Sequence, residues 1–352
     1  MKKNINGKDY RLPGSLTDFQ LRMYVHLINW KWGQGIKEPG RYERQGKEYL
    51  YDAILPDEYV QQERMPHIYA PILPHLAAQR QRNPFRIHRH FYHMASSQAA
   101  NINLFLPILH HPQASAILAA IPAAPKDFTS LATDQLDQGY CLEYWGGNFD
   151  PQESGKGVLG DKSTQAGTDS DIAIAYRNRK KELCLWLIEH KLLENEFTTC
   201  GGFKSAGRKD KARHDCTRNF SQILADKQTC YYHDKCGYTY WHITDRHRSF
   251  FPNHGKLAEC PFQSGTNQLW RNQLLGLALE EQGEPFKHVS FSVVHHPENR
   301  ALDDSLTAYQ DLIDHNPKFS VFTSADVLTA ADRCQDRDLA VWGKWYRSIY
   351  KL

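Results

Sequence analysis

Two apolar segments joined by a charged turn constrain the fold of this chain more than any other feature. Residues 171–176 (DIAIAY) alternate in polarity, residues 177–182 (RNRKKE) are charged, and residues 183–192 (LCLWLIEHKL) are strongly apolar until they end in charges. This order is typical of a β-hairpin. Because side chains alternate between the two faces of a strand, Glu189 and Lys191 share one face at the polar end of the second strand.

The hairpin brings a second carboxylate to the same end. Antiparallel pairing about a turn centred near residues 179–180 predicts that Asp171 lies opposite Ile188, beside Glu189. Two converging carboxylates favour a hard divalent cation with oxygen ligands, most naturally Mg²⁺. Lys191 beside them can orient an attacking water and offset charge at a phosphoryl group. The three residues therefore predict metal-dependent phosphodiester hydrolysis, although a Glu/Lys pair at a strand end is also common on solvated edges.

The elements around this hairpin predict the fold class. From residue 85 onward the order is helix, strands, loop, helix, strand and helix, which predicts an α/β (α+β) fold with a mixed central sheet flanked by helices. Earlier in the chain, residues 15–29 are predicted to form a helix capped by Ser15 or Thr17. The later predicted segments are a helix over 85–108, short helices and connections over 112–137, a strand over 140–145, a helix over 266–281 with Thr266 as N-cap, a strand over 288–295, a helix over 301–314 and a strand over 318–323.

Composition limits the class of protein. With 352 residues, 41% of them hydrophobic and 24% charged, the chain can build a sizeable core and is not disordered. The formal net charge of +3 excludes a histone-like, purely electrostatic nucleic-acid binder but leaves other nucleic-acid partners open. No transmembrane helix is predicted, and the first residues lack the apolar segment of a secretory signal, so we expect a cytoplasmic location.

The order of charged residues in the hairpin resembles a known nuclease pattern. Asp171, followed by Glu189-His190-Lys191, is similar to the signature of the PD-(D/E)XK nucleases, the restriction-endonuclease-like superfamily. One departure is Ser170, which stands where that signature has a proline. The resemblance to a bacterial branch of the superfamily runs from about residue 85 to residue 323. It is carried by the segments SSQAANINLF (96–105), GTDSDIAIAY (167–176), LCLWLIEHKLLENEFTTCGGF (183–203) and NQLWRNQLLGLALE (267–280).

The resemblance implies a site and an activity. Asp171 and Glu189 would bind Mg²⁺ or Mn²⁺, and Lys191 would be the catalytic lysine. Asp169 is a rival of Asp171, but entry into the strand at Ile172 favours Asp171. The implied function is a divalent-metal-dependent DNA endonuclease that serves restriction, phage defence or repair and leaves a 5′-phosphate and a 3′-hydroxyl.

A second function stays open, together with the organisation of the chain. The alternative is a non-catalytic nucleic-acid-binding protein that carries a Cys-ligated metal module on a decayed nuclease fold; the intact catalytic residues argue against decay. We divide the chain into an N-terminal helical or irregular cap (1–84) and a nuclease-like domain (85–352) with a Cys-rich insertion at about 200–262. A homodimer is left open, since cutting two strands needs two sites.

Four further residues are candidates for auxiliary roles. Glu143 either adds a carboxylate from a neighbouring strand or is an ordinary strand residue. Gln98 lies on the helix before the sheet, where the superfamily often places a polar active-site residue, but a lone Gln also serves packing. Gln268 and Arg271 lie on the helix that flanks the site in the superfamily. Arg271 either contacts phosphate or lies on a solvated helix face.

The cysteines predict a second metal centre. Five of the eight Cys lie between residues 200 and 260, and no two have the two-residue spacing of zinc fingers. Some nucleases that resemble this superfamily carry a four-Cys iron–sulfur cluster, and a Cys followed by Pro also ends ferredoxin-type runs. We predict one centre, either Zn²⁺ or [4Fe–4S], with buried or free thiols as the alternative. Its predicted ligands are Cys200, Cys216, Cys230 and Cys260, with Cys236 as substitute and His214, His233, His242 and His254 as further Zn²⁺ ligands.

Two basic segments are candidates for nucleic-acid contact. Residues 203–218 form a basic loop near the predicted active end of the hairpin, and such a loop either engages phosphates without reading sequence or is simply solvated. Residues 79–93 interleave Arg, His, Phe and Tyr, which fits phosphate contact with base stacking and equally a helix with an aromatic core face. The predicted DNA-binding residues in the first segment are Lys204, Arg208, Lys209, Lys211 and Arg213.

Overall fold

The fold is known from a computed structural model, which describes residues 2–147, 157–161, 167–205 and 216–352. Within these ranges the chain forms ten strands and thirteen α-helices. The strands are β1 (Lys2–Ile5), β2 (Lys8–Arg11), β3 (Gly40–Arg44), β4 (Lys47–Tyr51), β5 (Phe128–Leu131), β6 (Tyr140–Tyr144), β7 (Ser170–Asn178), β8 (Leu183–Lys191), β9 (His288–His295) and β10 (Phe319–Thr323). The helices are α1 (Asp18–Gly33), α2 (Asp57–Gln61), α3 (Leu73–Arg82), α4 (Ser97–Leu109), α5 (Ala114–Ala119), α6 (Gly201–Ser205), α7 (Phe220–Ala225), α8 (Tyr231–Asp234), α9 (Tyr240–Arg246), α10 (Thr266–Gln282), α11 (Asp303–Leu312), α12 (Ser324–Asp332) and α13 (Arg337–Tyr350).

A mixed sheet of six strands forms the centre, in the order β10, β9, β8, β7, with β5 and β6 both paired to the other edge of β7. Strands β8, β9 and β10 are parallel to one another, whereas β7 is antiparallel to β8, β5 and β6. Parallel neighbours need crossover connections, and helices supply them here. The predicted α+β fold with a mixed sheet between helices is confirmed.

The predicted β7–β8 hairpin forms, but its register differs by one residue from the prediction. Ile172, not Asp171, is the partner of Ile188. The reason lies in the turn, where Asn178 Oδ1 accepts hydrogen bonds from the N–H groups of Lys180 (3.0 Å) and Glu182 (2.9 Å). The turn is therefore centred on residue 180, which places Asp171 directly beside Glu189.

The two faces of the sheet carry separate cores. Trp186 and Ile188 of β8 pack with α4, α12 and α13 on one face, and Leu185 and Leu187 pack with α9, α10 and α11 on the other. This alternation confirms the predicted facing of the strand. Gly276 lets α10 approach the sheet closely, because a Cβ there would lie only 3.2 Å from Val289 Cγ1. Helix α10 is thereby held over the face to which Glu189 belongs.

Three predicted elements are wrong in detail. The predicted helix 85–108 begins only at Ser97, because the preceding segment pairs with another part of the chain: Leu55 N donates to Tyr92 O (3.0 Å) and Met94 N to Ala53 O (2.8 Å). Helix α10 has Gly265 as N-cap instead of Thr266. Strand β5 lies in the segment predicted to hold only short helices and connections.

The N-terminal residues share the core of the nuclease-like part. Helix α1 begins after Thr17, which forms a capping box with Gln20, so the second of the two predicted caps is confirmed. Gln20 Nε2 also donates to Leu193 O (2.8 Å), just beyond β8. The division at residue 84 stays a prediction. Within the described ranges, no helix has both the length and the apolar character needed to cross a bilayer.

Candidate active site

The C-terminal end of β8 holds an ion pair between two residues on the same face. Lys191 Nζ lies 2.8 Å from Glu189 Oε1. Both residues are buried, with only 4% of Glu189 and 9% of Lys191 exposed. Charged groups are rarely buried unless they are paired, so each of these two charges stabilises the other in its buried position.

Asp171 joins this pair from the neighbouring strand. Its Oδ2 accepts a hydrogen bond of 2.6 Å from the backbone N–H of His190, which fixes the carboxylate at the end of β8. Burial raises the pKa of Asp171 well above its usual range, and the charges of Glu189 and Glu143 raise it further. The structure therefore brings together the three predicted catalytic residues. The carboxylates of Asp171, Glu189 and Glu143 outnumber the single ammonium group of Lys191.

Glu143 approaches from β6, which pairs with β7 on the side opposite β8. Its φ of 52° lies in the left-handed region, which is uncommon for a non-glycine residue and is often held in place at functional sites. Its side chain hydrogen-bonds Gln98, which lowers its pKa, but burial and then the charges of Asp169 and Glu189 dominate and raise the pKa of Glu143 to about 8. Glu143 and Gln98 thus both lie at the site.

Gln98 also ties the site to the preceding loop. Its Oε1 accepts from the backbone N–H of His88 (2.9 Å), and its Nε2 donates to Arg86 O (3.0 Å). Asn101, one turn further along α4, donates from Nδ2 to Asp171 O (3.1 Å). Two polar residues of helix α4 therefore support Glu143 and Asp171.

Helix α10 fixes the Glu189 carboxylate. Gln268 Nε2 donates to Glu189 Oε1 (2.7 Å), and Asn272 Nδ2 donates to Glu189 Oε2 (2.9 Å). Gln268 Oε1 in turn accepts from Thr198 N (3.0 Å). Each oxygen of the Glu189 carboxylate therefore accepts a hydrogen bond from α10, and these two bonds fix the orientation of the group.

Lys191 stays protonated in this environment. Burial alone would lower the pKa of Lys191, but the charges of Glu189 and Glu194 outweigh it and raise the pKa above its usual range. The ammonium lies 5.8 Å from the centre of the Phe197 ring, a distance typical of a cation–π contact. Lys191 can therefore donate hydrogen bonds but cannot act as a base near neutral pH.

The donor set of Asp171 and Glu189 fits a hard divalent cation. Both are carboxylates, the ligands that Mg²⁺ and Mn²⁺ take in proteins. The charge of Glu189 adds to burial in raising the pKa of Asp171, because the two carboxylates repel each other. A divalent cation bound between them would remove this repulsion. In the described part of the chain, no group of three or more His, Cys, Asp or Glu side chains is arranged to hold a metal ion. The fit therefore concerns this pair of carboxylates.

Arg271 lies near the site but is engaged elsewhere. Its Nε donates to Asn267 Oδ1 (3.1 Å) and its NH1 to Thr168 Oγ1 (3.3 Å). Thr168 in turn donates to Asp161 Oδ2 (2.5 Å), which also accepts from Tyr240 (2.6 Å). The predicted phosphate contact of Arg271 stays a prediction.

The predicted basic loop lies mostly outside the described residues. Lys204 is exposed on α6. The remaining predicted contacts fall on residues that the structure does not describe, as does His214; they are Arg208, Lys209, Lys211 and Arg213. Asp169, the rival of Asp171, is exposed immediately before β7.

Cys260 lies close enough to the other three predicted cysteine ligands for their charges to act on its thiol. Cys200 N donates to Gln263 O (3.2 Å), and Gln263 Nε2 donates to Cys216 O. Burial raises the pKa of the Cys260 thiol, and the charges of Cys230, Cys200 and Cys216 raise it further. The chain thus gathers these four residues from separate segments.

The substitutes predicted for this centre have other contacts. Cys236 hydrogen-bonds Tyr238. The rings of His233 and His242 contact each other at 4.9 Å, and His254 stacks on Phe220 at 4.3 Å. Because the described thiols do not meet in a metal-holding arrangement, the four-cysteine centre stays a prediction.

A comparison of the whole chain with protein families identifies one family. The family REase-ARP, described as restriction endonuclease associating with ARP, matches residues 31–351. The chain belongs to this family. The suspected relation to restriction-endonuclease-like nucleases is confirmed, and REase-ARP membership indicates a nuclease. Neither a curated protein nor a solved structure matches the chain.

Sequence reasoning missed three residues of this REase-ARP site. Asn272 lies four residues after Gln268, so helical periodicity places both on one face and could have shown it. Asn101 lies three residues after Gln98 in the same way. Phe197 gave no signal, because an aromatic residue after a strand is usually part of the core.

Proposed function

We propose that this REase-ARP chain is a Mg²⁺-dependent endodeoxyribonuclease. Asp171 and Glu189 would bind the cation, with Mn²⁺ as a substitute, and Lys191 would be the catalytic lysine. The observation that carries the proposal is the buried 2.8 Å ion pair of Lys191 and Glu189 beside the Asp171 carboxylate. The family description also names association with ARP, so a second protein is a proposed partner.

The roles of the residues follow from their charges and contacts. A divalent cation held by the two carboxylates would supply the positive charge that activates water and stabilises the transition state of phosphodiester hydrolysis. Lys191 keeps its proton, so its Nζ can donate to the attacking water and orient it for in-line displacement. Gln268 and Asn272 hold Glu189 in one orientation, which limits the rearrangement that the site needs during the reaction.

Cleavage of supercoiled plasmid tests the proposal. We expect wild-type protein to nick or linearise the plasmid with Mg²⁺ or Mn²⁺ and to lose this activity in EDTA. Lys191→Ala should lower the rate by roughly a hundredfold or more, the usual cost of one transition-state donor. Lys287→Ala is the matched control, since Lys287 is exposed and pairs with the exposed Glu284.

One outcome would contradict the nuclease: metal-replete wild type cleaves neither plasmid, linear duplex nor single strands, and the protein would then be the nucleic-acid-binding alternative. Equal activity of wild type and Lys191→Ala would contradict the role of Lys191. Calorimetric Mn²⁺ binding that persists in Asp171→Ala would contradict the assignment of the cation ligands.

We also propose a structural metal centre at Cys200, Cys216, Cys230 and Cys260, holding either Zn²⁺ or a [4Fe–4S] cluster. Support comes from the convergence of the segments that carry these cysteines. Gly201 N donates to Tyr232 Oη (2.7 Å), which joins the Cys200 segment to the segment after Cys230. A bound metal there would fix the connection between β8 and α10 beside the catalytic strand.

A further inference from the structure

The hairpin of β3 and β4 carries aromatic rings and cations on one face. Tyr42 pairs across the hairpin with Tyr49, and Arg44 pairs with Lys47. Cross-strand partners share a face, and Tyr51 follows Tyr49 by two residues, so all five side chains lie on the same side. This face holds three tyrosines and two cations and no acidic residue.

The acidic residues of the hairpin lie on the opposite face. Glu43 and Glu48 are cross-strand partners there. Arg41 neutralises part of this charge, because it lies 3.5 Å from Glu48 and 2.7 Å from Asp57. Charge is therefore separated between the two faces, and the tyrosine face is the one that complements a polyanion.

Two histidines extend the tyrosines into a continuous row of rings. The centroid distances are 6.1 Å for Tyr49–Tyr51, 5.5 Å for Tyr51–Tyr42, 5.4 Å for Tyr42–His90 and 5.0 Å for His90–His88. We call these five residues the aromatic row. Burial, together with the charges of His88 and Arg89, lowers the pKa of His90 to about 4, so this ring is neutral at physiological pH.

The aromatic row begins at an exposed hairpin and ends beside the catalytic group. At its outer end Tyr49 is 39% exposed. At its inner end the backbone N–H of His88 donates to Gln98, which hydrogen-bonds Glu143. The charge of Lys191 also acts on the His88 imidazole. The exposed His88 thus brings the row along the surface to the residues that border the carboxylates.

Two arginines and a cavity lie beside the aromatic row. Arg86 and Arg89 are exposed on the loop that carries the two histidines. Tyr42, His90 and Arg89 also line a cavity of about 310 Å³. The surface thus offers rings for stacking, cations for phosphates and space beside them.

We propose that the aromatic row binds single-stranded DNA by base stacking and leads it to Asp171, Glu189 and Lys191. The proposal rests on the proposed nuclease function and names its substrate: a single strand, or a single-stranded end or branch of a duplex. Bases can stack on protein rings only when they are unpaired, and combined rings and cations are typical of single-strand binding. A blunt duplex hides its base faces and offers this surface only its phosphates.

Binding measured without cleavage tests the proposal. Fluorescence anisotropy of labelled 30-nucleotide oligo-dT and of a labelled 30-base-pair blunt duplex is recorded in EDTA. We expect wild type to bind the single strand more tightly than the duplex. Tyr49→Leu combined with Tyr51→Leu keeps apolar bulk but removes two stacking faces, and it should weaken single-strand binding by roughly tenfold or more with little effect on the duplex. Tyr49→Phe with Tyr51→Phe should bind like wild type.

Charge variants give a second readout that does not depend on the packing of the hairpin. Arg44→Gln with Lys47→Gln changes two exposed residues at the turn. The slope of log affinity against log salt should become shallower by about 1.4, because each phosphate contact to a single strand contributes about 0.7. Circular dichroism and melting temperature check that all variants fold.

Three results would overturn the inference. Unchanged single-strand affinity in both the Leu and the Gln variants would assign the surface to another use, such as a protein partner. Equal losses for single strand and duplex would remove the role of stacking. Wild type that prefers the duplex would contradict the substrate class. Because binding is read in EDTA, failure to cleave plasmid, linear duplex and single strands would overturn the nuclease and leave the aromatic row separately tested.

Discussion

Gln268 Nε2 lies 2.7 Å from Glu189 Oε1, so helix α10 holds the carboxylate on strand β8 that we propose as a metal ligand. Asn272 Nδ2 donates a hydrogen bond of 2.9 Å to the second carboxylate oxygen, Glu189 Oε2. The orientation of Glu189 therefore depends on how α10 packs on the sheet, and any change that moves this helix should reach the site.

Removal of these amides should weaken metal binding. Residues that orient a metal ligand typically contribute 10–100-fold to metal affinity or activity, so we expect Gln268→Ala to bind Mn²⁺ roughly tenfold more weakly. Titration calorimetry with Mn²⁺ measures this, and the plasmid assay should show a parallel loss. Gln282→Ala is the control because Gln282 is exposed at the end of the same helix. Equal Mn²⁺ affinity in both variants would contradict the role of Gln268.

The raised pKa of Glu143 predicts how stability depends on pH in the absence of metal. The ordinary pKa of Glu143 is 4.5, and burial raises it to about 8 in the folded protein. Between these values the folded chain binds more protons than the unfolded chain. The free energy of unfolding should therefore fall as pH rises from about 4.5 to about 8.

Glu143→Gln isolates this contribution. The neutral amide does not titrate, so the stability gained over wild type should be larger at pH 8 than at pH 5. Urea unfolding in EDTA at both pH values measures the difference. Glu43→Gln serves as control, since Glu43 is exposed on the β3–β4 hairpin. A gain that is the same at both pH values would show that Glu143 is ionised in the folded protein.

The arrangement of polar residues on strand β8 was predictable because it depends only on the local sequence pattern. Period-two alternation in β8 places Glu189 and Lys191 on one face whatever surrounds them. The register of β7 depended on the Asn178 side chain in the turn, which apolar patterns do not reveal, and the prediction was wrong by one residue. Asn272 reaches Glu189 only through the packing of α10 on the sheet.

The structure of segment 85–96, in contrast, could not be predicted from the sequence. Its residues fit a helix by composition, yet pairing of Met94 with Ala53 and of Leu55 with Tyr92 holds it in a series of turns. Those contacts join positions about forty residues apart, and no local pattern encodes them. The sequence marked the segment of His88 and His90 as a candidate for base stacking, but it did not show that the hairpin of Tyr42 continues the row, because that contact is also long-range.

Asn103 should be among the residues most important for stability. It is fully buried, its Nδ2 donates to His67 O (2.8 Å) and to Tyr350 Oη (2.9 Å), and its Oδ1 accepts from Tyr69 N (2.9 Å). These bonds join α4 to the N-terminal segment and to α13. Asn103→Ala leaves several buried groups unpaired, so the free energy of unfolding should fall by about 2–4 kcal/mol.

Tyr350→Phe provides a graded comparison for Asn103. It removes one hydrogen bond of the set and should cost about 1 kcal/mol. Urea unfolding of wild type and both variants at one pH gives the three values. Similar losses in the two variants would show that the Asn103 bonds to His67 and Tyr69 contribute little.

The four-cysteine centre predicts a metal content that depends on some cysteines and not on others. Protein purified without oxygen should contain about one Zn per chain, or about four Fe with the visible absorption of a cluster. Cys230→Ser and Cys260→Ser should each lose most of this metal, because a missing thiolate opens the coordination shell. Cys334→Ser is the matched control, since Cys334 lies after α12 and packs against the core on the other face of the sheet. Metal content that is absent from wild type, or equal in all three variants, would contradict the centre and leave these thiols as packing residues. Because the segment between β8 and α10 holds the predicted ligands, loss of the metal should also lower the melting temperature of the protein.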